Sequence, residues 1–197
     1  MLKISVAAVK VLRLLMKNAN PEPVALVKDC YATVIPSGLP ILLITGAKVE
    51  IIQDLGGTYT VQYEGQWVRI AAQDACALGE EYVQPGVEST WDADTTLEQK
   101  VWSILQTCYD PEIPVDIVEL GLIYDCSLHE LEHGMRVHIM MTLTAPGCGM
   151  GPVLMEEIKQ KLHSISEIKD VQLEWVFDPP WTQDRMSDAA KLKLGLF

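Results

Sequence analysis

Cys148 is the residue of this chain best placed to do chemistry, because it lies in a loop of alternating glycines. Gly147, Gly149 and Gly151 surround it, and Pro152 follows at a position that suits the first residue of a helix. A helix N-terminus and converging N–H groups favour negative charge, so this pattern favours a thiolate able to bind iron or attack a disulfide. The same glycines also suit a plain strand-to-helix turn around a small buried thiol. The spacing alone leaves both interpretations open.

The other cysteines do not form a familiar metal-binding pattern. The five cysteines are separated by 46, 32, 18 and 22 residues without any Cys-x-x-Cys, which excludes the common zinc-knuckle and ferredoxin spacings. Cys108 and Cys126 fall on apolar faces of a predicted helix and strand, so we expect both to be packing residues. Cys30 and Cys76 stay undecided. An odd number of thiols without a secretory signal predicts a cytoplasmic, reducing location.

Four carboxylates cluster before the loop: Asp110, Glu112, Asp116 and Glu119. Paired carboxylates can do acid–base work, but a structural role explains most of these. Asp116 and Glu119 form an Asp-x-x-Glu capping pattern over one helical turn, which Gly121 can close in the left-handed conformation. Asp110 precedes a proline, a usual arrangement in turns.

The pentapeptide His129-Glu-Leu-Glu-His133 matches the His-Glu-x-x-His pattern of zinc proteases. That mechanism needs both histidines one turn apart on a helix. Here the pentapeptide joins two strand patterns and runs into Gly134, so we expect a solvated hairpin turn whose side chains diverge.

Periodicity in the C-terminal half predicts the elements that position Cys148. We expect a helix over 97–108 capped by Thr95 or Thr96, strands over 122–128 and 135–144, a helix over 152–165, a strand over 171–177 and a helix over 187–194. The order helix-strand-strand-helix-strand-helix predicts a sandwich-like α+β domain over residues 95–197.

The N-terminal half is different in character. Apolar runs at 39–45, 48–53, 58–63 and 67–70, separated by glycine turns, predict a small all-β module over residues 23–78. Residues 79–94 carry Pro85, Gly86 and five acids without a sustained period, and are predicted to be an acidic linker.

The first 22 residues are predicted to be a basic amphipathic extension. Lys3, Lys10, Arg13 and Lys17 fall within about 80° of one another on a helix. No acid occurs in the first twenty residues, so they carry +4 and the rest of the chain −16. The apolar runs are far shorter than the roughly 20 residues that span a bilayer. Packing on the protein body, a peripheral extension, a membrane-surface helix and a transit-like peptide all stay open.

Composition narrows the functional class. With 197 residues, 49 % hydrophobic and 21 % charged, the chain is typical of a globular protein. A net charge of −12 argues against nucleic-acid binding, because that affinity comes largely from clustered Lys and Arg.

Two segments, Asp110–Tyr124 and Met141–Gly151, resemble the two signature segments of the metal-sulfur cluster biosynthesis domain. That family includes bacterial SUF-associated proteins, the phenylacetate-degradation protein PaaD and eukaryotic cytosolic iron-sulfur targeting factors. The resemblance covers about residues 95–197. The preceding module, through 29–38, 53–61 and 68–70, resembles the extension of the longer SufT members of the family.

The resemblance implies an auxiliary, non-enzymatic factor that helps iron-sulfur clusters reach apoproteins. Cys148 would then be the functional thiol, with Asp110, Glu112 and Asp116 beside it. The same loop residues, Gly147, Gly149, Gly151 and Thr144, would support it. Asp116 stands where relatives often carry Asn, which argues against an amide-specific role there.

Three functions follow as hypotheses. In the first, Cys148 supplies one ligand to iron or a labile iron-sulfur cluster, and a partner, a second subunit in a homodimer or a small thiol completes the site. In the second, the chain is an adaptor that docks carriers onto clients without ligating a cluster. In the third, it is a thiol enzyme, although no partner base or resolving cysteine is evident. Expected partners are SUF assembly proteins, iron-sulfur carriers and client apoproteins, with no nucleic acid and no membrane span.

Overall fold

The structure is a computed structural model that describes residues 23–196 of the chain. The chain divides into two compact units. One comprises the residues up to Gln84 together with Pro111–Pro114, and the other comprises Pro85–Asp110 and the chain from Val115 onward. The predicted basic extension over residues 1–22 lies outside the described residues. No helix within the described part is long and apolar enough to cross a membrane.

The first unit is all-β, as predicted. Its strands are β1 (Val24–Ala25), β2 (Cys30–Val34), β3 (Leu39–Leu43), β4 (Lys48–Leu55), β5 (Thr58–Tyr63) and β6 (Gln66–Ile70). They form one antiparallel sheet in the order β1-β4-β5-β6-β2-β3. Short 3₁₀ helices over Ala72–Ala77, Glu80–Tyr82 and Val87–Thr90 occupy the stretch that follows.

Strand β2 was not predicted from apolar runs, and its side chains show why. Cys30 and Ala32 face the core at 4 % and 5 % exposure, whereas the large Tyr31 between them is 70 % exposed. Small inward residues and a bulky outward one hide the alternation that identifies a half-buried strand. The sheet core itself consists of larger buried side chains, namely Leu43, Val49, Val61, Val68 and Ile70.

The second unit has the predicted order of elements. They are α1 (Leu97–Leu105), β7 (Ile123–Leu131), β8 (Gly134–Met141), α2 (Gly151–Leu162), β9 (Ile168–Trp175) and α3 (Asp188–Leu194). In the sheet β7-β8-β9, β7 and β8 are antiparallel, whereas β8 and β9 are parallel. Helix α2 is therefore the crossover that returns the chain to the same end of the sheet.

Strand boundaries differ from the prediction by one to three residues, and β9 starts at Ile168 rather than residue 171 and ends at Trp175 rather than residue 177. β7 continues to Leu131, three residues beyond the expected end, and β8 ends at Met141 rather than residue 144. The hairpin is longer than expected because polar residues of β7 such as His129 and Glu130 are exposed and still pair with β8. A strand that faces water on one side needs apolar residues on the other side only.

One side of β8 supplies the centre of the core. Val137, Ile139 and Met141 alternate along the strand and are fully buried. The helices contribute buried apolar residues at helical spacing, namely Val101, Ile104 and Leu105 from α1 and Leu154, Ile158 and Leu162 from α2.

Helix α1 begins with a reciprocal cap at Thr96. Its hydroxyl accepts a hydrogen bond from the Gln99 N–H (3.2 Å), and the Gln99 side-chain oxygen accepts one from the Thr96 N–H (2.8 Å). We expect Thr96→Ala to lower the free energy of unfolding by about 1 kcal/mol, because a helix-start N–H loses its acceptor. Thr96→Ser keeps the acceptor and is the control. Urea unfolding would measure both, and equal stability of the Ala and Ser variants would contradict the role of the cap.

Candidate functional site

Three segments of the second unit meet at one end of the sheet β7-β8-β9. Ile123, at the start of β7, pairs with Met141, at the end of β8. Just beyond, the Thr142 N–H donates to the Leu122 carbonyl (2.9 Å), and the Val176 N–H donates to the Met141 carbonyl (2.8 Å). The segment before β7 therefore ends at this end of the sheet, where the loop after β8 and the tail after β9 begin. Each predicted signature segment has residues there, namely Leu122 and Ile123 in the first and Met141 and Thr142 in the second.

The loop that carries Cys148 starts with a tight turn. The Cys148 N–H donates to the Ala145 carbonyl (3.3 Å), with Pro146 and Gly147 at the two central positions. Gly147 has φ +80°, as the third residue of a type II turn requires. A Cβ placed at Gly147 would meet no atom within 4 Å, so this glycine is needed for its backbone conformation alone.

Helix α2 starts three residues after Cys148. Gly151 is its first residue and its N–H donates to the Cys148 carbonyl (3.1 Å), while Met150 occupies the cap position. Pro152 is the second helical residue, one later than predicted, because the turn at Cys148 already leads Gly151 into the helix. A Cβ on Gly151 would lie 3.0 Å from Leu143 Cδ1 and 3.6 Å from Trp175 Cζ2. A side chain at Gly151 would therefore require Leu143 to move by a few tenths of an ångström.

The sequence predicted that several loop N–H groups converge on one point, and two of these groups are engaged elsewhere. The amides of Cys148 and Gly151 are used in turn hydrogen bonds. The start of α2, three residues after Cys148, is the feature that favours negative charge near this residue.

Cys148 is partly exposed, as are Cys76 and Cys126, whereas Cys30 and Cys108 are buried. Cys108 is fully buried, as predicted. Burial raises the pKa of the Cys126 thiol to about 11, and burial likewise raises that of Cys30 to about 11, so both remain thiols at neutral pH. Cys76 is partly exposed on the 3₁₀ helix of the first unit. None of the five cysteines forms a disulfide.

The turn before β7 is organised by Asp116. One oxygen of its carboxylate accepts hydrogen bonds from the N–H groups of Val118 (3.1 Å) and Glu119 (2.9 Å), as the capping pattern predicted. Gly121 closes the turn with φ +66°. Partial burial raises the pKa of the Asp116 carboxyl above its usual value, against the effect of the two backbone hydrogen bonds.

The second half of the predicted capping box is wrong. The Glu119 carboxylate does not return to the backbone of its own turn but accepts a hydrogen bond from the Ser187 hydroxyl, at the cap of α3. A helix cap elsewhere in the unit offers this carboxylate a donor, and so a long-range contact replaces the local one.

The segment after β9 donates three hydrogen bonds to the turn that follows Asp116. The carbonyls of residues 119, 120 and 121 accept hydrogen bonds from the Ser187 N–H (2.9 Å), the Trp181 indole (2.8 Å) and the Arg185 side chain (3.1 Å). The Arg185 guanidinium also lies 3.9 Å from the centre of the Tyr124 ring. Sequence reasoning missed these contacts, because no local pattern links residues more than sixty positions apart.

The remaining predicted site residues are Asp110, Glu112 and Thr144. Asp110 is buried and its N–H donates to the Val115 carbonyl (3.2 Å). Glu112 is partly buried and belongs to Pro111–Pro114, which group with the first unit. Thr144 is partly exposed in the loop. Within residues 23–196, no three His, Cys, Asp or Glu side chains are grouped so as to hold a metal ion.

The His129–His133 pentapeptide forms the hairpin that was predicted instead of a zinc site. His129 lies in β7, with Nε2 3.2 Å from the Ser127 hydroxyl, and His133 lies in the two-residue turn to Gly134. The histidines are not on a helix, so this geometry excludes the protease arrangement.

Comparison with known proteins relates this chain to proteins of iron-sulfur cluster assembly and iron-sulfur protein maturation. A family described as "Iron-sulfur cluster assembly protein" matches residues 98–175. The Fe-S protein maturation auxiliary factor YitW of Bacillus subtilis (strain 168) is 42 % identical over 103 residues, which are 52 % of this chain and 98 % of that protein. The Fe-S protein maturation auxiliary factor SufT of Staphylococcus aureus (strain USA300) is 44 % identical over 87 residues, 44 % of this chain and 96 % of that protein.

Among solved structures, the crystal structure of a domain of unknown function, DUF59, from Bacillus anthracis is 37 % identical in sequence. It covers 51 % of this chain and 92 % of its own, with a TM-score of 0.46.

Replacement of Asp116 would separate its capping role from its charge. Asp116→Asn keeps an oxygen acceptor, whereas Asp116→Ala removes it and should be about 1 kcal/mol less stable than Asp116→Asn at any pH. The folded carboxyl, with its raised pKa, binds a proton more tightly than the unfolded one, so wild-type stability falls as pH rises above the usual 3.8. The stability advantage of Asp116→Asn over wild type should therefore grow between pH 4 and 7. Urea unfolding across this range would measure it, and a shrinking advantage would contradict the raised pKa.

Gly147 offers a test of the loop geometry. Gly147→Ala should lower the free energy of unfolding by about 1 to 2 kcal/mol, because an alanine resists the left-handed conformation even where space is available. Gly147→Asn should recover part of this loss, since asparagine tolerates that conformation. Thermal unfolding of the three proteins would rank them, and an alanine variant as stable as wild type would show that the turn has a different shape.

Proposed function

The chain belongs to the family of iron-sulfur cluster assembly proteins, and we propose that Cys148 is the residue through which it handles a cluster. Its role is that of an auxiliary factor in iron-sulfur protein maturation. The cluster is the cargo of such a factor. The chain would receive it from, or pass it to, other proteins.

The observation that carries this proposal is the position of one partly exposed thiol ahead of a helix N-terminus. A helix start carries partial positive charge and favours the thiolate, which is the form that binds iron. The type II turn and the close packing of Gly151 hold the backbone on both sides of Cys148. Cys30 and Cys126, whose pKa values are raised by burial, are much poorer candidates.

One cysteine supplies one of the four protein ligands that iron-sulfur clusters commonly have. No metal-binding group of three side chains occurs in the described part of the chain, so the remaining ligands would come from a partner protein, a second copy or a small thiol. A cluster held by few ligands of one chain can leave by ligand exchange, which suits delivery. The chain then needs no catalytic activity, and its partners are assembly proteins, carriers and client apoproteins in the cytoplasm.

Delivery of a cluster would test the role of Cys148. Wild type and Cys148→Ser are incubated anaerobically with iron, sulfide and a reduced thiol, and then with a client apo-enzyme whose activity requires its cluster. We expect the serine variant to lose bound iron and to restore client activity at least tenfold more slowly, because a hydroxyl is a weak ligand for iron. Cys76→Ser is the matched control, since Cys76 is also partly exposed but lies in the other unit.

The same variants distinguish ligation from adaptor work. If Cys148→Ser retains pull-down of a carrier or client and loses delivery, the thiol handles the cluster. If delivery and pull-down both match wild type, Cys148 is a packing residue and the chain acts as an adaptor. Equal loss in Cys76→Ser and Cys148→Ser would also contradict a specific role for Cys148.

A further inference from the structure

Two histidines lie beside each other on the open face of the sheet β7-β8-β9. The buried residues of β8 alternate along the strand, so His138, between two of them, points to the opposite face, and its cross-strand partner on β7 is Ser127. His129 lies two residues after Ser127 and therefore on the same face. The centres of the His129 and His138 rings are 6.3 Å apart. His129 of the pentapeptide thus has a histidine neighbour on another strand.

This separation is compatible with one metal ion between the rings. A metal–nitrogen bond is about 2.0 to 2.1 Å long and the nitrogen lies about 1 Å from the ring centre, so two imidazoles on one ion have centres roughly 5 to 6.5 Å apart. The observed 6.3 Å lies near the upper limit of this range. Because His129 is exposed, its side chain can rotate to bring the rings closer.

Each ring has an oxygen atom beside its Nε2. His138 Nε2 lies 3.5 Å from a Glu174 carboxylate oxygen, and His129 Nε2 lies 3.2 Å from the Ser127 hydroxyl. These contacts leave Nδ1 of both rings available to a ligand. Metal-bound histidines commonly have such an oxygen partner at their second nitrogen, since it fixes the orientation of the ring.

The charges beside the pair favour a bound cation. Arg136, the cross-strand partner of His129, is positively charged, but its Nε lies 2.6 Å from an Asp170 carboxylate oxygen. With Arg136 and Asp170 neutralising each other, the Glu174 carboxylate leaves a net negative charge beside the two imidazoles.

We propose that His129 and His138 together bind a divalent first-row transition-metal ion on this open face. Imidazole nitrogen is a good ligand for zinc, copper, iron and nickel. Within residues 23–196, no three His, Cys, Asp or Glu side chains are grouped around a metal position, so the two histidines are the protein ligands and water completes the coordination. Such a site holds its ion loosely and exchanges it.

This site is separate from Cys148. His129 lies six residues along β7 from Ile123, which marks the end of the sheet from which the Cys148 loop leaves. Six residues of a strand span about 20 Å, so one ion cannot contact both His129 and the residues at that end. The histidine site therefore does not depend on the role of Cys148.

A titration with Zn²⁺, followed by NMR of the imidazole signals, would test the site. The chain has four histidines, at positions 129, 133, 138 and 163, so each signal can be assigned. Free Zn²⁺ is set with a weak chelator, and the thiols are kept reduced. We expect the His129 and His138 signals to move together below millimolar Zn²⁺, with one dissociation constant. Cys148→Ser should give the same constant.

Single variants identify the ligands. His129→Gln and His138→Gln should each raise the dissociation constant at least tenfold, because two ligands held on one surface bind more tightly than one. Both side chains lie on the open face, so the variants should fold, which far-UV circular dichroism checks. His133→Gln is the matched control, because His133 is exposed in the adjacent turn, and it should leave the constant unchanged.

Several results would overturn the proposal. If neither signal moves up to millimolar Zn²⁺, the pair binds no metal. If His129 moves with His133 and not with His138, or His133→Gln weakens binding as much as His129→Gln, the pentapeptide binds the ion. If the shifts disappear in Cys148→Ser, the ion is held at the thiol instead. Delivery of a cluster by Cys148 is measured separately and can fail or succeed independently of these results.

Discussion

Parallel hydrogen bonding between β8 and β9 determines where Cys148 lies. Strands that pair in parallel need a long crossover, since the chain must return to the end from which it started. Here the crossover is the loop after Met141 followed by α2. The loop therefore leaves the carboxyl end of a central strand and enters a helix N-terminus, which places a residue in this loop near positive helix charge without any further device.

The antiparallel pairing of β7 and β8 brings the Asp116 turn to the end of the sheet from which the Cys148 loop leaves. The turn ends at Gly121, and Leu122 next to it is hydrogen bonded to Thr142, the residue that begins the Cys148 loop. The capping role of Asp116 thus fixes the backbone beside the loop rather than contributing a second reactive group. The Asp116 turn and the Cys148 loop therefore lie at the same end of one sheet, although they are separate in the chain.

The sequence predicted features whose causes are local. The glycines around Cys148 identified the turn, the Asp116 cap was readable from spacing, and helix and strand periods gave the order of elements in the second unit. Strand β2 escaped notice because its inward residues are small, and the partner of Glu119 was wrong because Ser187 lies 68 positions away. Contacts of this range depend on how elements pack, which single-chain patterns do not encode.

The tail that covers the Asp116 turn bears on how long the folded unit is. The family match ends at residue 175, whereas the donors to the carbonyls of residues 119–121 come from residues 181–187. A chain cut back to the matched segment would lack these three donors, and each hydrogen bond contributes about 0.5 to 1.5 kcal/mol. The folded unit is therefore longer than the segment that the family match covers, and it extends at least to Ser187.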